Sequence, residues 1–148
     1  MFRQFRIYST DPEWIAFLRS HNVHDNVNFW RKDRRQVRLP EGSHFYFWPR
    51  GSRSVAGRAV FRGQFAMSIC EAWEPFGLGN GVTSYEDLKR KLVDVLRLND
   101  DILIRLVLDE VKLLQPREYP LLPPNFRATQ SPKDYREGSL PNIESSFI

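Results

Sequence analysis

At 148 residues the chain is most simply one domain, long enough to bury a core without staples. Its single cysteine, Cys70, excludes an internal disulfide and a cysteine-rich metal site, and no apolar run approaches the roughly 18 residues a membrane span needs. A net charge of +4 and a sequence pI of about 9.5 make an acidic partner such as nucleic acid electrostatically welcome.

Phe2 to Tyr8 alternates apolar and polar residues and reads as a first strand. Thr10-Asp-Pro-Glu13 is a helix start, with a capping side chain, a proline in the first turn and an acid where the helix dipole favours it. Trp14, Phe17 and Leu18 then form one apolar stripe, which assigns Trp14 to the core, and the helix should end near Ser20. After a polar connection come Val27-Asn-Phe-Trp30 and the basic run Arg31-Lys-Asp-Arg-Arg-Gln-Val-Arg38. A charged run is usually a solvated loop. Here it abuts two adjacent aromatics, Phe29 and Trp30, and cations beside exposed rings are the residue types that hold phosphates while stacking a base.

His44 to Trp48 and Val55 to Phe61 look like a hairpin around the Pro49-Arg-Gly-Ser-Arg-Ser54 loop. Alternation puts Phe45 and Phe47 on one face and His44, Tyr46 and Trp48 on the other. Gly57 and Ala59 leave a shallow spot where another group could approach the backbone. Phe65 to Glu71 reads as a third strand or the lead-in to a short helix containing Trp73, and Phe76 to Gly81 as a loop. Ser84 and Asp87 open a further helix in a near capping-box pattern, with Leu88, Leu92, Val95 and Leu96 as its buried stripe. Ile102 to Leu114 is a long strand. From Gln115 the chain is studded with prolines and should wrap the surface as irregular structure. The expected organisation is a core over 1–115 and a Pro-rich segment over 116–148 that wraps it or leads to a further domain. The order β-α-β-β-β-α-β points to a small α+β domain on a curved mixed sheet or partly closed barrel with flanking helices.

Catalysis has no positive signature. Gly77-Leu-Gly-Asn-Gly81 lacks the spacing and the lysine of a phosphate loop. His21 and His24 have no third ligand to complete a metal site, Glu71 and Glu74 read as one solvated helix face, and Cys70 has no activating partner. Neither a cofactor nor a metal is expected. The opening Met1-Phe-Arg-Gln-Phe-Arg6 is too short and too charged for a secretory leader, so a cytoplasmic location is expected.

At Val27-Asn-Phe-Trp30, the central hairpin, Ala72-Trp-Glu-Pro-Phe-Gly77 with Asn80-Gly81, and Ser84, the chain resembles the EVE-like, PUA-superfamily module at the N-terminus of HNH-type modification-dependent restriction endonucleases. The match covers roughly residues 8 to 115. Phe45-Tyr-Phe-Trp-Pro-Arg-Gly-Ser52 and Val55-Ala-Gly-Arg-Ala59 are more distantly similar to YTH domains, which read a methylated adenine in RNA. The resemblance implies a curved sheet whose pocket receives a base turned out of the nucleic acid. Trp30 and Trp73 match the positions expected to sandwich it, Phe29 and Trp48 lie close by, and Asn28 and Asn80 are amides that could read its edge. Arg31, Lys32, Arg34, Arg35, Arg50, Arg53 and Arg58 are candidates for phosphate contact. The histidines and metal ligands of the family nuclease are missing after Gln115, so the chain is either the recognition half of a longer enzyme or a stand-alone reader.

Three functions stay open on these residues. The first is a module that recognises 5-methyl- or 5-hydroxymethylcytosine in double-stranded DNA by base flipping and itself cuts nothing. The second is a reader of modified RNA. In the third, a protein-interaction domain, the tryptophans are core and the basic loops only solvated surface.

Overall fold

The computed structural model describes residues 4–31, 36–95, 102–126 and 134–148. Strand β1 (Gln4–Thr10) leads into helix α1 (Pro12–Ser20), and β2 (Val27–Arg31) and β3 (His44–Pro49) follow. The long strand β4 (Gly57–Ser68) passes directly into α2 (Ile69–Phe76) and a 3-10 turn, Gly77–Asn80. Helix α3 (Tyr85–Arg90) runs on as a π turn, Lys91–Val95, before β5 (Ile102–Leu113). Strand β6 (Asp134–Arg136) and helix α4 (Pro141–Glu144) complete the set.

The strands form one six-stranded open sheet in the order β2-β5-β4-β3-β1-β6. It is mixed, as the sequence predicts. β1 and β3 are parallel, with Phe5 opposite His44 and Thr10 opposite Pro49, and the other pairs are antiparallel. Register shifts between Arg58 and Val60 and between Phe61 and Gly63 interrupt the β4–β5 ladder, and such bulges bend and twist the strand that carries them.

Alternation along the strands divides the apolar residues into two cores. Tyr8, Phe45, Phe47, Ala59, Phe61, Leu106 and Leu108 meet α1 through Trp14, Ile15 and Leu18 on one face. Phe5, Ile7, Tyr46 and Trp48 meet the C-terminal residues Leu122, Phe126, Ile143 and Phe147 on the other. The hairpin faces are therefore those read from the sequence. The tail differs from its expected irregular course: β6 pairs with β1, and four of its apolar side chains are among the ten buried residues of the second core. Its prolines punctuate it without preventing burial, because each buried anchor needs only a short run between turns.

Two other expectations are corrected. The spot over Gly57 is filled, since a Cβ there would lie 2.6 Å from Leu113 and 2.8 Å from Phe47. Phe65 to Ser68 is the continuation of β4 and no separate strand, with Ser68 closing a capping box with Glu71 at the start of α2. At α1 the cap is Asp11, whose carboxylate accepts from the Glu13 N–H at 2.9 Å, while Thr10 completes β1 and donates to the Trp48 carbonyl. Leu88 and Leu92 of the predicted α3 stripe are buried, whereas the Val95 side chain and Leu96 lie outside the described residues.

Candidate functional site

A cavity of about 230 Å³ opens where the C-terminal ends of the parallel strands β1 and β3 meet β2 and the α3–π segment. Its aromatic wall is Trp14, Phe29 and Trp30, and its polar rim is Ser9, Thr10, Asp11, Arg50, Asn80 and Lys91. The parallel pairing creates this meeting. It sets Thr10 opposite Pro49, and the Arg50 N–H then bonds to the Thr10 carbonyl at 2.9 Å, which brings the residue after β3 beside the one that ends β1. Lys91 arrives from the junction of α3 with the π turn, a geometry often found at functional sites.

The wall is rigid because its rings interlock. Phe29 packs at 5.6 Å from Tyr8, 5.6 Å from Trp14 and 5.3 Å from Phe45, each at a steep angle that suits the ring quadrupoles. Trp30 is half-buried and packs beside the Leu88 and Leu92 pair. Its indole N–H is buried and, among the described residues, has no acceptor.

Behind the wall lies a buried polar chain. Arg105, 3% exposed, donates from Nη1 to Asn28 Oδ1 at 2.9 Å, and Asn28 Nδ2 donates to Asn80 Oδ1 at 2.8 Å. Asn80 Nδ2 donates to the carbonyls of Ala72 at 3.2 Å and Gly77 at 3.0 Å. The Arg105 guanidinium also lies over the rings of Phe76 at 4.4 Å and Phe65 at 5.3 Å. Burial pulls its pKa down to about 10 against the attraction of Glu71, so it keeps its proton at neutral pH.

The 77–81 turn that carries Asn80 is seated by two glycines. A Cβ on Gly79 would collide with the Asn26 carbonyl, and one on Gly81, where φ is +81°, would lie 2.5 Å from Trp14 Cδ1.

The structure distributes the sequence candidates unevenly. Phe29, Trp30, Asn80 and Arg50 line the cavity. Asn28 is fully buried one layer behind, with its amide engaged by Arg105 and Asn80. Trp73 is half-buried on α2, where it packs against the same leucine pair as Trp30 but does not line the cavity. Trp48 is buried in the opposite core, edge-on to Phe126 at 5.0 Å, with its indole N–H satisfied by the Ser52 carbonyl at 2.8 Å. Arg53 and Arg58 donate to the tail carbonyls of Phe126 and Phe147, each at 3.1 Å. Lys32, Arg34 and Arg35 lie outside the described residues, and of Arg31 only the backbone, ending β2, is described.

Sequence reasoning missed Trp14, Lys91 and Arg105. The helical period accounted for Trp14 fully as core, which it is, and gave no sign that its edge also faces a cavity. Arg105 did carry a signal: one cation in the middle of the apolar run Ile102 to Leu108 must have a buried partner if that run is a central strand.

The open mixed sheet with helices against its faces has a PUA-like fold, as its likeness to solved structures shows. Among the solved structures it is similar to are ASCH proteins of Zymomonas mobilis. A tyrosine-to-phenylalanine mutant aligns at a TM-score of 0.63 and 17% identity over 91% of this chain and 92% of that one. An ASCH structure from the same organism gives 0.59 and 14% over 95% and 94%, and a serine-to-alanine mutant 0.54 and 16% over 91% and 90%. No protein-family model and no curated protein matches the sequence.

Proposed function

We propose that the chain is a nucleic-acid-binding module that admits one unstacked base, a modified cytosine of double-stranded DNA, to the Trp30 cavity. The observation that carries this reading is the pairing of an aromatic wall with two cations, Arg50 and Lys91, on a cavity of about 230 Å³. That volume is below the ~300–1,000 Å³ of sites for larger small molecules and suits a single planar ring. Ring stacking at about 1–3 kcal/mol per base offsets the few kcal/mol lost when a base leaves the duplex. Arg50 and Lys91 at the rim supply phosphate contacts on either side of the extruded nucleotide. The PUA-like fold and the resemblance at Val27 to Trp30 and Ala72 to Gly81 support the base class. Trp73 has a bracing role in this arrangement, holding the leucine pair on which Trp30 rests. Cleavage falls to a nuclease in the same or another chain.

The test is binding of the purified chain to matched duplexes carrying cytosine, 5-methylcytosine or 5-hydroxymethylcytosine at two salt concentrations, beside methylated RNA. A preference for one modified duplex that persists as salt rises is the expected result. Equal binding to all duplexes that vanishes with salt would overturn the base-reading assignment, and stronger binding to methylated RNA would move the site to that polymer.

A further inference from the structure

The chain of hydrogen bonds from Arg105 to Asn80 fixes the orientation of both amides from its two ends. A guanidinium can only donate, so Asn28 must turn Oδ1 toward Arg105 and Nδ2 toward Asn80. The carbonyls of Ala72 and Gly77 can only accept, so Asn80 must turn Nδ2 toward them and Oδ1 toward Asn28. The two requirements agree, and neither amide can flip without setting donor against donor or acceptor against acceptor.

A primary amide has two donor hydrogens and two acceptor lone pairs. Both hydrogens of Asn80 are taken by the carbonyls and one lone pair by Asn28. What remains to the side chain is one acceptor site on Oδ1, at a residue that is 1% exposed and lines the cavity. We infer that Asn80 is a specificity-determining residue that accepts a hydrogen bond from the exocyclic amino group of the guest base and is held as an acceptor by the carbonyls of Ala72 and Gly77. The inference rests on the cavity being a base site. It adds that a ring bearing a carbonyl in place of the amino group sets two acceptors against each other, and that a ring with neither leaves Oδ1 unpaired.

The experiment varies the ligand and leaves the fold alone. Duplexes carry 5-methylcytosine, 5-methyl-2-pyrimidinone or thymine opposite an abasic site, so that none of the three must break a pair to leave the stack. The first two differ only in the amino group. Binding is followed by titration of the native chain at fixed salt. The expected result is about tenfold weaker binding of the pyrimidinone than of 5-methylcytosine, with thymine weaker still, as the loss of one buried hydrogen bond predicts. Asn80→Ala should bring the 5-methylcytosine and pyrimidinone affinities together, whereas Asn28→Leu, which leaves both carbonyl anchors of Asn80 in place, should keep them apart. Equal binding of 5-methylcytosine and the pyrimidinone by the native chain, or a preference for thymine, overturns the role of Asn80 while leaving a base site standing. If none of the three is distinguished from a duplex with abasic sites on both strands, the base site itself is overturned. Should Asn80→Ala lose its circular-dichroism spectrum, the ligand series on the native chain still decides.

Discussion

Two regions of the molecule make opposite uses of tryptophan. Trp48 faces the core closed by the tail, with its ring against Phe126 and its indole N–H on the Ser52 carbonyl. On the edge strand β2, Trp30 is half-buried at a cavity, with a buried N–H that has no acceptor among the described residues. A satisfied polar atom inside a filled core contributes to stability. A buried donor left without an acceptor costs about 1–3 kcal/mol. One region is a filled core and the other borders a cavity.

The sharpest way to break this contrast is to truncate one ring in each region. Phe147→Ala should destabilise the fold by about 3–5 kcal/mol in chemical denaturation, because it empties a site that Tyr46 and the Arg58 guanidinium cover. Trp30→Ala should cost the fold distinctly less and instead weaken base binding by about 1–3 kcal/mol, read by titration with an extruded-base duplex. Equal destabilisation by the two variants would make both regions core. Gly79→Ala sharpens the comparison at the cavity's edge. Its methyl must displace the Asn26 carbonyl, so the expected loss is about 1–3 kcal/mol of stability, accompanied by weaker binding as Asn80 shifts with the turn.

The buried polar chain is tested by a double-mutant cycle. Arg105→Met leaves Asn28 Oδ1 unpaired and should cost about 1–3 kcal/mol, whereas Arg105→Met with Asn28→Leu removes both partners and should cost less than the sum of the single changes. The pH dependence has a definite sign. Because the folded-state pKa of Arg105 is lowered to about 10, the unfolded chain binds more protons above that pH. The burial penalty is therefore complete below pH 10 and lifts as pH rises through it. The stability difference between the native chain and Arg105→Met should thus stay constant from pH 6 to 9.

The smallest effects separate the arginines. Arg50→Ala and Lys91→Ala should each lower the slope of log affinity against log salt by about one, as the loss of a phosphate contact does. Arg53→Ala should leave that slope unchanged and cost about 1 kcal/mol of stability, since its guanidinium holds the Phe126 carbonyl.

Some of this contrast was legible in the residues. Alternation along His44 to Trp48 already separated Trp48 from Phe45 and Phe47, so its seat in the opposite core follows from the strand period. Placing it near the pocket came from the resemblance and ran against that parity. The tail shows the reverse: prolines at short intervals read as a surface wrap, and nothing local showed that Leu122, Phe126, Ile143 and Phe147 face one common core.

What the sequence determined by itself was whatever depends on neighbours a few residues away. The α1 start at Thr10 to Glu13 and its stripe, the Ser84 cap, the two-faced hairpin and the aromatic-basic character of Phe29 to Arg31 all fall in this group. Tertiary structure alone decided the parallel docking of β1 on β3, which makes the cavity, and the chain from Arg105 to Asn28 and Asn80, whose links span 77 and 52 residues. The physical reason is range. Caps and periods are satisfied within a turn or a strand, whereas a buried guanidinium or amide finds its partner only after distant segments have closed on each other, and no local pattern encodes which partner that will be.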